Sequence, residues 1–221
     1  MPSIPQSEDP VAEPQAAETQ VAARPQKARR GRPGYDYATV LRIAIDVFNR
    51  RGYDGTSMDD LAKELGLSKS AIYHHVHGKE ELLRLALSEG LDALTSVLEE
   101  EERRTDDASA LERLRHVVVR SAEVLSAHQP SVTLLLRVRG NSEVELDAMR
   151  RRREIDHRMA RLVSLAVDDG SVRSDIDPTM ISRLLFGMVN SLTEWYRPDR
   201  GYDSKVVAEA VASLAFDGLR A

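Results

Sequence analysis

The chain has 221 residues, 30% of them charged and only 5% aromatic, with a formal net charge of −5 and no cysteine. That length suits one or two domains with a sizeable core, and the missing thiols exclude disulfide scaffolds, thiolate zinc sites and cysteine nucleophiles. No apolar run reaches the length of a membrane span, and the first residues lack the basic start and apolar stretch of a signal peptide, so a cytoplasmic protein without a membrane partner is expected.

Residues 1–34 hold six of the nine prolines, four acidic residues and no aromatic side chain. Such a stretch buries too little apolar surface to offset its ordering entropy and is expected to be a disordered tail. It ends in a basic arm with Arg24, Lys27, Arg29, Arg30 and Arg32. Arg-Gly-Arg-Pro is flat and extended and looks like the core of an AT-hook, so Arg30 and Arg32 are candidates for a narrow, electronegative minor groove.

From Tyr37 the apolar residues recur at helical spacing. Val40, Leu41, Ala44, Ile45 and Phe48 share a face, and Gly52 ends that helix. A second helix runs to Glu64, capped by Thr56 or Ser57, with Met58, Leu61, Ala62 and Leu65 inward. Gly66 stops it, Ser68 caps a short third helix through His75, and a long fourth helix starts at Lys79 and continues to about residue 104. Further helices are expected at roughly 108–127, 131–139, 142–169, 178–196 and 203–219, with Pro130, Pro178 and Pro198 at boundaries. Nothing alternates convincingly as a strand. The fold class is therefore all-α, with about nine helices.

The second and third helices, joined by Gly66-Leu67-Ser68, form a helix-turn-helix. The third carries Lys69, Ser70, Tyr73 and His74 on its exposed face, side chains suited to base edges and phosphates in a major groove. His74, His75 and His77 invite a metal reading, but the first two are adjacent and point apart on a helix, so no metal site is expected. No Gly-x-Ser-x-Gly elbow, phosphate loop or dinucleotide fingerprint is present, and no enzyme is expected.

The spacing from Gly52 through Thr56, Leu61-Ala62, Gly66-Leu67-Ser68, Tyr73 and Lys79 strongly resembles the N-terminal signature of the TetR family of bacterial repressors. Val76 stands where that family usually has Phe, and Leu67 where Val is common. The resemblance implies a helix-turn-helix DNA-binding domain at 35–80 and a ligand-binding and dimerisation domain at 81–221. It implies that Thr56 holds a phosphate beside Ser57 and Ser68, that Lys69, Ser70, Tyr73 and His74 face double-stranded DNA, and that Lys79 binds another phosphate. It also implies a homodimer on a pseudo-palindromic operator, released by a small-molecule inducer and carrying no cofactor.

Residues 179–196 are apolar over much of a helix circumference, and the last helix offers another apolar face. Paired across a two-fold axis, as in the family, they would bring Leu184, Met188, Leu192, Val207, Val211 and Leu214 into a four-helix interface, with Gly187 permitting close approach. The end of this segment resembles the acyl-CoA-sensing subgroup, phenylacetate regulators included. The ligand candidates are thus Leu134, Arg137, Asn190, Trp195 and Arg197, and the expected effector is an acyl-CoA, phenylacetyl-CoA among them. Arg139 and the run Arg150–Arg153 add cations, although the run also reads as a solvated, internally paired face. A ligand-independent architectural DNA-binding protein, or an activator with the same head, would keep the same DNA residues.

The net charge agrees with DNA binding once it is divided. Residues 24–84 hold twelve Lys or Arg against eight Asp or Glu, whereas residues 85–221 hold nineteen against twenty-four. The acidity lies in the first residues and the regulatory half, and the DNA head is cationic.

Overall fold

The computed structural model describes residues 36–219, and the tail with Arg30 and Arg32 lies outside them. The described residues contain nine helices and no strand: α1 (Tyr37–Arg51), α2 (Met58–Leu65), α3 (Lys69–Tyr73), α4 (Lys79–Glu102), α5 (Ala110–Ala127), α6 (Gln129–Arg137), α7 (Glu143–Asp168), α8 (Pro178–Trp195) and α9 (Ser204–Phe216). No helix among them is long and apolar enough to cross a membrane.

Local chemistry sets most of the boundaries. Asp36, Ser57, Ser68, Ser109, Ser142, Asp177 and Asp203 each accept a backbone N–H of the helix that follows, which satisfies donors the helix itself leaves open. Ser57–Asp60 and Ser109–Glu112 are full capping boxes. Pro130 does not delay α6 until residue 131. It sits inside the first turn, where its missing N–H is harmless, and α5 and α6 are separated only by His128.

Gly66 closes α2 in a left-handed conformation with φ of 61°, and its N–H and that of Leu67 return to the Lys63 and Ala62 carbonyls. A β-carbon at Gly66 would meet no atom within 4 Å, so the penalty of a side chain there is conformational rather than steric. Gly66→Ala is expected to cost about 1 kcal/mol, read as a lower urea midpoint at an unchanged slope. An unchanged midpoint would mean that the turn does not need this conformation.

α1, α2 and α3 pack around Val40, Ala44, Phe48, Leu61, Leu65 and Ile72, all buried. Val76 is buried with them and fills the place expected for a larger Phe. α5 is the hub of the rest, touching α4, α6, α7, α8 and α9. Gly90 of α4 lies against α6, where a β-carbon would come within 3.1 Å of Val132, so the small residue sets the α4–α6 spacing. α4 and α7 are tied by the bidentate pair of Arg158 with Glu102, at 2.9 and 2.7 Å. The carboxyl of Glu101 is fully buried and held by Arg104 at 3.1 Å and Arg113 at 2.8 Å.

α6 is a strut between two parts of the fold. At its start, Gln129 Nε2 donates to the Thr193 and Tyr196 carbonyls at 3.3 and 3.0 Å, closing the C-terminus of α8. Along its length it meets α1: Asn49 Nδ2 donates to Pro130 O, and Arg137 Nη1 donates to Asn49 O, both at 2.8 Å.

Candidate nucleic-acid interface

α2 and α3 meet at Gly66-Leu67-Ser68, and Ser68 Oγ accepts the Ala71 N–H at 3.2 Å to start α3. Ile72 is fully buried and anchors the helix. The opposite face therefore turns outward. Ser70, Tyr73 and His74 are exposed, Tyr73 by 45%, and none of their side chains has a partner among the described residues. Lys69 is also exposed, but its ammonium lies 3.2 Å from Asp59 on α2. That pair is solvated on both sides and is weak enough for a phosphate to displace. The helix ends at Tyr73 rather than His75, so His74 and His75 stand on the turn that follows. Among the described residues no group of three His, Asp or Glu side chains could hold a metal ion.

Two of the expected phosphate contacts are placed differently. Thr56 is buried, and its hydroxyl donates to Gly52 O at 2.7 Å. It pins the α1–α2 turn and leaves capping to Ser57, whose oxygen is engaged with Asp60. Lys79 donates to Tyr53 O at 2.9 Å, and its Nζ lies 4.1 Å from the Tyr53 ring centroid. A cation on a carbonyl and an aromatic face is partly satisfied already. Lys79 therefore locks the turn to the start of α4.

Tyr53 is the residue that the sequence reading passed over. It stacks edge-on against Phe48 at 5.3 Å, and burial pushes its phenol above its ordinary pKa. The available signal was one aromatic residue in an otherwise small and polar turn, Gly52-Tyr53-Asp54-Gly55.

The ligand candidates do not converge. Leu134 and Arg137 border a cavity where α6 meets the α1–α2 turn. Asn190, Trp195 and Arg197 lie toward the end of α8. Trp195 is 54% exposed, and Arg197 donates to the Tyr196 and Glu194 carbonyls at 2.6 and 3.3 Å, capping its own helix. Tyr196, beside it, is the buried aromatic there. In the arginine run, Arg150 pairs with Asp147 on its own helix, whereas Arg151 reaches across to Asp92 of α4, so only part of the run is the internally paired face expected.

The interface candidates divide in the same way. Leu184 and Leu214 are exposed by 60% and 47%, and Met188 is half-buried. Leu192, Val207 and Val211 are buried within the chain and fill its own core, so they offer nothing to a second copy. The outward stripe of α8 runs Met180, Leu184, Gly187, Ser191 and Trp195, and that of α9 carries Val206, Ala210 and Leu214. A β-carbon at Gly187 would meet nothing within 4 Å among the described residues.

Two family models match the chain: bacterial regulatory proteins of the tetR family over residues 34–86, and the tetracyclin repressor-like C-terminal domain over residues 107–219. The fold matches the crystal structure of a TetR transcriptional regulator family member from Streptomyces coelicolor A3, with a TM-score of 0.77 and 53% identity, over 83% of this chain and 92% of that one. The chain is 29% identical to the HTH-type transcriptional repressor KstR2 of Rhodococcus jostii, over 81% of this chain and 89% of that protein. It is also similar to AibR in complex with isovaleryl coenzyme A and operator DNA, with a TM-score of 0.67 and 26% identity, over 81% of this chain and 97% of that one.

Proposed function

Because the chain belongs to the TetR family of bacterial transcription regulators, we propose that it is a cytoplasmic repressor that binds a pseudo-palindromic operator as a homodimer and leaves it on binding an acyl-CoA thioester. The observation that carries the DNA assignment is the outward face of α3, where Ser70, Tyr73 and His74 stand exposed and without a partner among the described residues, on a helix anchored by Ile72. Lys69 joins them by exchanging Asp59 for a phosphate. Residues 35–80 act as the DNA head and residues 81–221 as the effector and dimerisation region, with α4 running out of one into the other.

Two copies meet through the outward stripes of α8 and α9. A dimer places two recognition helices one or more DNA turns apart, which is why the operator has two-fold character. The thioester reading is supported by AibR, whose structure holds isovaleryl coenzyme A and operator DNA. The repressor reading is supported by KstR2. An effector acts by binding better to the arrangement in which the two heads do not fit the operator.

Titration of the protein on DNA from upstream of its own gene, followed by fluorescence anisotropy, tests the assignment. Isovaleryl-CoA, phenylacetyl-CoA and longer acyl-CoA thioesters are added, with the free acids as controls. At least one thioester is expected to weaken operator binding tenfold or more while its free acid does not. Release by free acids alone overturns the thioester assignment. Binding insensitive to every compound favours the architectural reading.

A further inference from the structure

The positive balance of residues 24–84 lies wholly ahead of α1. Residues 24–34 hold Arg24, Lys27, Arg29, Arg30 and Arg32 and no acidic residue, whereas residues 36–84 hold seven Lys or Arg against eight Asp or Glu. The head that carries α3 is therefore formally anionic. Most of its cations are also engaged. Arg50 and Arg51 pair with Glu64, Lys69 with Asp59 and Arg84 with Glu80, and Lys79 lies against Tyr53. Of the head's Lys and Arg, only Arg42 and Lys63 are left without such a partner among the described residues. Attraction for duplex DNA comes mainly from Lys and Arg that neutralise phosphates. These helices thus present α3 to a polyanion with no charge surplus of their own.

The start of α1 lies on the side of the head where that surplus is needed. Asp36 caps α1 by accepting the Thr39 N–H at 2.8 Å. Bonds from Thr39 hold its carboxyl below the ordinary carboxylate range, and His75 adds a smaller pull across space. The Tyr37 phenol is raised by burial and, after it, by the charge of Glu81. Glu81 in turn accepts the His77 N–H at 2.5 Å. The first residues of α1 therefore neighbour the turn that follows α3, and the basic residues join the head beside its recognition surface.

Their chemistry suits a different groove from that of α3. Arg30 and Arg32 flank Gly31, which has no side chain to hold the main chain away from a groove floor. In A·T-rich DNA the minor groove is narrow and strongly electronegative, it draws arginine in, and no guanine amine projects from its floor. Six residues back from Asp36 reach at most about 20 Å, which is enough to cross one phosphate backbone from a major groove about 12 Å wide. We propose that residues 24–34 act as a second DNA-binding element of each head: Arg30 and Arg32 enter the minor groove adjoining the major-groove site of α3, favour A·T pairs there, and supply the positive charge that residues 36–84 lack. This role presupposes that α3 is the DNA-contacting helix, and the experiment separates the two.

Duplexes are selected from a randomised pool by the full chain and by the full-length double variant Arg30→Ala/Arg32→Ala, then titrated by fluorescence anisotropy at several salt concentrations. The full chain is expected to select a two-fold core with A·T pairs beside each half-site, and the variant the same core with no preference beside it. On the full chain's best duplex the variant binds at least tenfold more weakly. Its log–log salt dependence is shallower by about three to four, because two copies lose two cations each. Inosine·cytosine in place of the flanking A·T pairs changes the major groove but brings no amine into the minor groove, so the full chain binds as before, whereas G·C pairs weaken it. A loss of affinity that is equal on A·T and G·C flanks overturns the minor-groove assignment and leaves an unspecific phosphate contact. If both proteins bind the same two-fold core with equal affinity and slope, the arm assignment fails and the reading of α3 stands. An A·T preference that depends on Arg30 and Arg32 without any two-fold core gives the reverse.

Discussion

Leu184→Glu is expected to convert the protein to a folded monomer and to weaken operator binding by at least three orders of magnitude. Leu184 is 60% exposed at the middle of the outward stripe of α8, next to Gly187, where nothing among the described residues occupies the missing side chain's space. In a two-fold interface each residue enters twice, so one substitution removes two leucines and introduces two carboxylates. Each buried leucine contributes about 1.5–3 kcal/mol, and the pair alone accounts for a hundredfold or more in dimer affinity. The carboxylates add a desolvation cost and mutual repulsion. The monomer keeps its fold because Leu184 contributes little to the protomer core. Sedimentation velocity reads the mass, and anisotropy on the operator reads the consequence for DNA. A dimer that survives the substitution would move the interface away from α8.

Glu101→Ala is expected to destabilise the fold by about 3 kcal/mol, seen as a lower denaturation midpoint at a fixed protein concentration. The carboxyl of Glu101 is fully buried, but Arg104 and Arg113 are 31% and 26% exposed on their side chains. Removing the shared anion leaves the Arg113 guanidinium, which water reaches only in part, without a carboxylate, while Arg104 keeps its pair with Asp106. Arg113 retains its bond to the Glu101 carbonyl at 2.7 Å, which keeps the loss at the lower end of what a broken buried pair costs. This site lies at the far end of α4 from α3. Operator affinity at a temperature where the variant remains folded is therefore expected to change less than threefold. A loss below 1 kcal/mol would show that the pairs contribute no more than solvated ones.

Helix positions were legible because apolar period and capping residues agree along most of this chain. Ser57, Ser68 and Ser109 stand where the apolar stripes begin, and the structure uses each as a cap. The outward face of α3 was legible for the same reason: once Ile72 is inward, Ser70, Tyr73 and His74 turn outward. Leu192, Val207 and Val211 were misplaced because periodicity identifies an apolar face without saying whether its own chain or a second copy covers it, and Thr56 because its hydroxyl is spent on Gly52 O, a bond that no sequence pattern announces. α8 and α9 are apolar on two sides, and only the packing against α5 and α7 shows which side is spent. The junction cavity was not legible at all. Residues 48–55 and residues 134–145 meet there across a long sequence separation, and no local pattern announces it.

The two bonds between α1 and α6 define how the head is able to move. Both involve Asn49: its amide grips the first turn of α6 at Pro130, and its carbonyl is gripped by Arg137 at the last. Residues 130 and 137 lie roughly 10 Å apart along a helix rising 1.5 Å per residue. Sliding α6 along its own axis stretches one bond or the other at once, whereas tilting it about Asn49 keeps both nearly constant in length. The attachment thus behaves as a pivot rather than a rail. Because both acceptors are main-chain carbonyls, substitutions at Pro130 leave an acceptor in place, while the donors Asn49 and Arg137 are the two side chains whose loss would free the head from its axis.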